Sequence, residues 1–343
     1  MFSPRYDITN HLLWQITRIN RLVSELNNRR FPSVVLAAFK KTAASVSAHA
    51  STSIEGNPLP LTEVRKLLKS TPTHIGDSER EVINYNHALQ ELNRRLDEGT
   101  MSLSLDHILR IHKHVTDGLM PEHESGAFRQ RPVMINDPRS HTVVFLPPDA
   151  NEVNPLMTDL IEFVHKGRDH IDPLILAGIF HKQMVLIHPF MDGNGRTTRL
   201  ATKVLLAHMG LNTFHLFSFE NYYNQNVSRY FQTVGEFGDY YERKERIDFT
   251  VWLEYFTEGI IDELLRVGKL LPQTETSPQT QLRVHEVKLL KHIRENGFIT
   301  DRIYRTLVDR AKATRTGDFK RLRKIGLIEA KDKGKATYYV LSS

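Results

Sequence analysis

Near the start of the chain, apolar residues recur at helical spacing. Leu12, Ile16, Ile19, Val23 and Leu26 follow the three- and four-residue steps of one helix face, and Pro32 ends that element. Residues 34–53 predict a second helix, rich in Ala and Ser, whose small side chains let it lie close against a neighbour. Ser78-Glu79-Arg80-Glu81 has capping-box spacing and opens a helix carrying Val82, Tyr85, Leu89 and Leu92. A further helix is expected over 103–119. Asp172-Pro173 supplies a cap and a first-turn proline for an apolar helix that runs to His188. Helices then dominate as far as Leu271.

Two stretches break the pattern. Val133 and Ile135, then Val143, Val144 and Phe145, flank the turn-type run Asn136-Asp137-Pro138-Arg139-Ser140, which predicts a β-hairpin within 129–148. Residues 271–279 are polar with two prolines and read as a linker. Beyond it, Leu282, Val284, Val287, Leu290 and Ile293 predict a helix stopped at Asn296-Gly297, and Asp301 is placed to cap a second. A third, basic helix over 313–325 precedes two short strands, 327–329 and 337–340, around Lys331-Asp332-Lys333-Gly334-Lys335. Helix, helix, basic helix and basic turn is the layout of a winged helix.

Composition narrows the class. At 343 residues there is room for two or three domains, and 25% charged residues is ordinary for a soluble protein. There is no cysteine, so disulfides and thiolate metal sites are excluded. The first residues lack an apolar signal core and no apolar run approaches a membrane span, so a cytoplasmic protein without a membrane partner is expected. Net charge is +6, but residues 279–343 alone hold 16 Lys/Arg against 7 Asp/Glu, leaving −3 for the rest. That basic excess marks the tail as a separate module. Arg315, Lys320, Arg321, Arg323 and Lys324 are its candidate DNA contacts, with protein contact or dimerisation as the other use of such a module.

The chemistry concentrates in His188-Pro189-Phe190-Met191-Asp192-Gly193-Asn194-Gly195-Arg196-Thr197-Thr198-Arg199. A glycine-rich turn opening a helix presents free backbone N–H groups and the positive end of the helix dipole to a phosphate. Gly193 and Gly195 permit close approach, and Asn194 offers an amide to a phosphoryl oxygen. Arg196 and Arg199 lie three apart on one helix face, where both forks can grip phosphates. His188 is a candidate general base, and Asp192 a carboxylate for Mg²⁺, a hard cation that prefers oxygen ligands. Upstream, Ser51-Thr52-Ser53-Ile54-Glu55-Gly56-Asn57 reads on its own as a helix stopped at Gly56 with Glu55 exposed.

The longer run resembles the signature HPFx(D/E)GNGRxxR of the Fic (filamentation-induced-by-cAMP) family, with every fixed position met. The resemblance implies a mainly α fold: a helical core with a β-hairpin flap, then a small α/β winged helix. It places an N-terminal helical region at 1–110 with an inhibitory helix at about 33–56, a catalytic core at 111–271, a linker at 272–281 and the winged helix at 282–343. The implied activity is protein adenylyl transfer. His188 would deprotonate a Ser, Thr or Tyr hydroxyl of a target protein, which would attack the α-phosphate of ATP. Asp192 would carry Mg²⁺, while Gly193, Asn194, Gly195, Arg196 and Arg199 would hold phosphates. Asn226, Tyr230 and Phe231 are candidates for the adenine pocket, and Val133 and Ile135 for a flap that docks the target by strand addition.

Residues 51–57 resemble the family's inhibitory motif (S/T)xxxE(G/N), with Ser51, Glu55 and Gly56 at its positions. This implies that Glu55 pairs with Arg199 and misaligns ATP. Alternatives stay open: a same-fold enzyme that removes AMP or transfers another group, a DNA-binding regulator with a nucleotide-sensing core, or a toxin with a separate antitoxin. Glu55 in the same chain argues against the last. Family members often dimerise, so a homodimer is open too.

Overall fold

The computed structural model describes residues 2–29, 33–70, 72, 74–100, 102–136, 142–211, 215–271, 282–324, 326–332 and 337–341. The fold is mainly α. The chain divides into two compact units, one formed by residues 1–23 and 43–264, the other by 24–42 and 265–343. Among the described residues no helix is long and apolar enough to cross a membrane.

The helices up to the hairpin are α1 (Asn10–Asn27), α2 (Ser33–Ile54), α3 (Leu61–Leu67), α4 (Asp77–Asp97) and α5 (Leu105–Val115). The hairpin strands β1 (Ile135–Asn136) and β2 (Val143–Leu146) follow, then α6 (Ala150–Gly167), α7 (Pro173–Ile187) and α8 (Asn194–His208). Next come α9 (Glu220–Gln225), α10 (Val227–Val234), β3 (Gly238–Asp239), α11 (Tyr240–Arg243) and α12 (Thr250–Leu270). The second unit carries α13 (Val284–Asn296), α14 (Asp301–Leu307), α15 (Lys312–Lys324), β4 (Ile328–Lys331) and β5 (Tyr338–Leu341).

Helix α7 is the axis of the first unit, with apolar residues buried on nearly every face. The side chain of Asp172 accepts the N–H of Leu174 at 2.9 Å, so the predicted cap forms. Gly178 lets α12 press against α7. A Cβ there would lie 2.6 Å from Leu253 and 3.1 Å from Phe256. The indole of Trp252 donates to the Gly178 carbonyl at 2.7 Å. Lys182, also buried, donates to the carbonyls of Thr233 and Gly235 and pairs with Glu236, fixing the segment that leads into β3.

The expected hairpin forms, with Ile135 opposite Phe145, while its turn at 137–141 lies outside the described residues. A third strand was not foreseen: β3 pairs parallel to β2, Phe145 opposite Gly238. At two residues, β3 is too short to register as a sequence pattern. The order β1-β2-β3 leaves β1 at an edge.

Two expected caps move. The N-cap of α4 is Gly76, whose N–H is accepted by Glu79 at 3.1 Å, and not Ser78 answered by Glu81. Glu81 turns inward to Arg196 and is unavailable as a cap. Likewise Thr300 caps α14, accepting from Ile303 at 3.2 Å, because Asp301 is engaged by Arg315.

The second unit packs Leu289, Leu290, Ile293, Tyr304, Phe319 and Leu322 under the antiparallel β4–β5 ladder, with Phe319 stacked on Tyr339 at 4.0 Å. This follows the helix and strand order expected of the tail. Residues 272–281, read as a linker, and 333–336, at the basic turn, lie outside the described residues. The boundary expected at position 110 falls inside α5.

The tight α7–α12 contact yields a prediction. Gly178→Val overpacks it and lowers stability by about 1–3 kcal/mol, read as a lower melting temperature than the parent.

Candidate functional site

The end of α7 and the start of α8 form the site, and His188 sits at the join. It ends α7 in the left-handed region, at φ 49° and ψ 64°, which is uncommon for a residue with a Cβ. Arg129 holds it there, donating from Nε to the His188 carbonyl at 2.8 Å. The same buried guanidinium donates to the carbonyls of Arg131 and Pro148, one at each border of the hairpin. A single cation thus ties the flap to the His188 turn, and burial lowers its pKa.

The His188 ring has Nδ1 3.3 Å from the Val185 carbonyl. A carbonyl only accepts, so Nδ1 carries the proton and Nε2 keeps a lone pair. Burial pushes the His188 pKa down to about 4, so the ring is neutral at pH 7.

His112 buttresses the turn from behind, and sequence reasoning missed it. Its ring stacks on Phe190 at 3.7 Å. Nδ1 accepts the N–H of Gly126 at 2.9 Å, so Nε2 donates to the Asp192 carbonyl at 3.0 Å. Burial holds this histidine at about 4 as well. Only its contacts set it apart from any buried histidine on a helix.

Gly193 caps α8 at φ 73°, and a Cβ there would lie 2.9 Å from Thr116. Asn194 closes the turn on itself: Oδ1 accepts from the Phe190 N–H at 2.9 Å and Nδ2 donates to the Phe190 carbonyl at 2.8 Å. Asp192 stands outside, its side chain 63% exposed, with Oδ2 accepting from Arg196 at 2.9 Å. This solvent-facing carboxylate beside a helix start fits Mg²⁺ bound chiefly by substrate phosphates and water. Arg196 also meets Glu81 at 2.6 Å.

Arg199 is fully buried. Its Nε donates to Ser51 Oγ and its Nη2 to the Ser51 carbonyl, both at 2.8 Å. Nη2 also pairs with Glu55 Oε1 at 2.7 Å. Burial works against the charge of Arg199, but Glu55 and the phenols of Tyr230 and Tyr85 outweigh it and raise its pKa. The Glu55 carboxylate lies directly on the helix start: a Cβ on Gly195 would sit 2.0 Å from Oε1. Gly56 follows at φ 94°. One helical turn before Ser51, Ser47 donates to the buried Glu220 at 2.6 Å, which Tyr85 and Lys203 also engage. Ser47, Ser51 and Glu55 thus form a polar stripe of period four that starts on α2 and runs just past its end.

Other expected residues lie as follows. Tyr230 is 1% exposed, stacked on Tyr223 at 4.7 Å and hydrogen-bonded to His181, so it stands in the core. Asn226 and Phe231 are exposed, and Asn226 caps α10 through the N–H of Arg229. Val133 and Ile135 are half-buried on the flap. In the second unit Lys320, Arg323 and Lys324 are exposed. Arg315 corrects the expectation of a solvent-facing contact: it is buried and grips Asp301 with two hydrogen bonds of 2.9 Å. Arg321 pairs with the buried Glu286. His285, Glu286 and Asp318 come within 4.8 Å of one another, but arginines occupy both carboxylates.

Residues 102–206 match the Fic/DOC family. That span holds the flap, His188 and nearly all of α8. The protein adenylyltransferase Fic of Nematostella vectensis is 30% identical over 164 residues, 47% of this chain and 36% of that protein. Protein adenylyltransferase fic-1 of Caenorhabditis elegans is 30% identical over 197 residues, 56% of this chain and 37% of that protein. The chain therefore spans little more than a third of the curated relatives it matches. Among solved structures, a Fic family protein from Desulfovibrio desulfuricans superposes with TM-score 0.68 at 19% identity, covering 100% of this chain and 99% of the other. A Fic domain containing signaling protein from Bacteroides thetaiotaomicron gives 0.59 at 18% identity, covering 75% and 97%. At these identities the likeness is one of fold.

The geometry makes two predictions. Gly195→Ala displaces the Glu55 carboxylate, so it lowers the melting temperature of the parent by more than that of Glu55→Gly, where only Arg199 Nη1, 2.9 Å from the new Cβ, is left to shift. A double-mutant cycle by thermal melting should give coupling of about 1 kcal/mol or more. His112 and His188 are held neutral by the fold, so their stabilisation is full above about pH 6.5 and falls as pH drops toward about 4. His112→Gln should flatten that acid loss in a melting series against pH.

Proposed function

We propose that the first unit transfers AMP from ATP to a hydroxyl group of a target protein, and that Glu55 restrains the reaction. The observation that carries the reading is the Glu55–Arg199 pair over Gly195, in the same turn-helix segment as an imidazole whose Nε2 is free to accept a proton. A target hydroxyl gives its proton to Nε2 of His188, and its oxygen attacks the α-phosphorus. The bond to the β-phosphate breaks and pyrophosphate leaves. The α8 N-terminus, whose turn Asn194 closes, holds phosphate oxygens, with Arg196 beside it. Asp192 would hold Mg²⁺, which neutralises phosphate charge when bound. The edge strand β1, which begins at Ile135 just after Val133, receives an extended target segment by strand addition.

Restraint follows from charge and space. A γ-phosphate seeking Arg199 meets the Glu55 carboxylate already on it, and ATP seats out of line for attack. A misplacement of about 1 Å costs on the order of a hundredfold in rate.

For the second unit, we propose contact with DNA phosphates through the exposed Lys320, Arg323 and Lys324 of α15. Replacing all three by Ala should weaken duplex binding and make it less sensitive to salt, by about one unit of slope for each phosphate no longer neutralised.

The test of the catalytic reading uses the parent, Glu55→Gly, and Glu55→Gly with His188→Ala, each with Mg²⁺ and ATP labelled at the α- or γ-phosphate, with and without cell lysate. Label from the α-phosphate alone is expected on protein. It should be roughly a hundredfold stronger in Glu55→Gly than in the parent and absent with His188→Ala. Label from the γ-phosphate, or none in any form, would contradict the reading.

A further inference from the structure

Glu55 is not the only carboxylate that meets a signature arginine. Glu81, on α4, divides its two oxygens between partners on either side. Oε1 pairs with Arg196 at 2.6 Å, and Oε2 accepts from Asn57 Nδ2, also at 2.6 Å. Arg196 is itself buried, and its other terminal nitrogen donates to Asp192 Oδ2 at 2.9 Å. Asn57, Glu81, Arg196 and Asp192 therefore form one unbroken relay across the first unit.

Each link is fixed. The Asn57 backbone N–H closes α2 on the Thr52 carbonyl at 3.1 Å. Its Oδ1 accepts from Leu59, and its amide also reaches the Ser78 carbonyl at 2.9 Å. Burial raises the pKa of Glu81 against the opposing pull of Arg196 and Asn57, so the carboxylate is held where its charge is costly. Arg196, with a carboxylate at each terminal nitrogen, is placed as a link more than as a free phosphate fork.

We propose that Glu81 is a positioning residue for Asp192, acting through Arg196, and that Asn57 is its support. The proposal rests on the nucleotide-and-Mg²⁺ reading of the site and deepens it. Asp192 is mostly exposed, and the hydrogen bond from Arg196 restricts its carboxylate. Partners that orient a metal ligand are worth about ten- to a hundredfold in metal affinity. Asn57 lies two residues after Glu55, so the segment that restrains Arg199 also steadies the carboxylate that would take the metal.

The test titrates Mg²⁺ into the 343-residue Glu55→Gly chain holding a non-hydrolysable ATP analogue, with binding read by calorimetry rather than turnover. Adding Glu81→Gln should raise the half-saturating Mg²⁺ about tenfold. Analogue affinity in EDTA should stay within about twofold, since the phosphate cradle is untouched. Asn57→Ser, with Glu81 intact, should shift the Mg²⁺ requirement the same way and less far. In Asp192→Asn, adding Glu81→Gln should change nothing further. An unchanged Mg²⁺ requirement in Glu81→Gln, or an equal fall in binding with and without Mg²⁺, overturns the proposal. If Glu55→Gly alone shows no Mg²⁺-dependent binding, the nucleotide reading fails first and takes the proposal with it.

Discussion

A fully buried guanidinium needs a partner, and the first unit is arranged around supplying one to Arg199. Removing one member of a buried charge pair leaves the other uncompensated, a cost larger than the net value of the pair. Arg199 draws on α2 and the residue just past it for three of its contacts, the Ser51 hydroxyl, the Ser51 carbonyl and the Glu55 carboxylate. The helix that presents Glu55 makes polar contacts at period four, Ser47 to Glu220 and Ser51 to Arg199, beside the small buried side chains of Ala43, Ala48 and Ala50. Hydrogen-bonded contacts of this kind have two good arrangements, on the protein or on another anion. That makes α2 a suitable restraining element, because a phosphate can compete for Arg199 on the same terms as a carboxylate.

The rest of the site is rigid by contrast. Arg129 fixes His188 in a left-handed turn and holds both hairpin borders, and His112 joins the Asp192 carbonyl to Gly126. These contacts are to backbone carbonyls and amides, so they set the path of the chain and leave the His188 Nε2 without a side-chain partner among them, while the Glu55 carboxylate lies over the start of α8. Pre-set geometry of this kind lowers the reorganisation needed when charge develops at a phosphate.

Much of this was legible in the sequence. The apolar period located α1 and α4, the Asp-Pro pair followed by an apolar run located α7, and the glycine-rich turn located α8. What escaped was carried by contacts distant in sequence. The Ser78–Glu81 spacing promised a cap, yet Glu81 serves Arg196, 115 positions further along the chain. Asp301 promised another, yet it serves Arg315. In both cases local spacing was right for a helix start, and a buried arginine competed better than the backbone for the carboxylate. His112 gave no signal, and Arg129 none beyond marking the border of the hairpin stretch, because their partners are main-chain atoms, which every residue has. Arg315 looked like one more surface cation in a basic helix, and only its pairing with Asp301 sets it apart from Lys320 and Arg323.

The central claim, that Glu55 decides where ATP can sit, is tested most directly by crystal structures of the parent and of Glu55→Gly with a non-hydrolysable ATP analogue and Mg²⁺. The account predicts that in Glu55→Gly the γ-phosphate rests on Arg199 and the α-phosphorus comes within about 3–3.5 Å of a hydroxyl seated on His188 Nε2, while in the parent it stands out of line. The same α-phosphate pose in both proteins would contradict it.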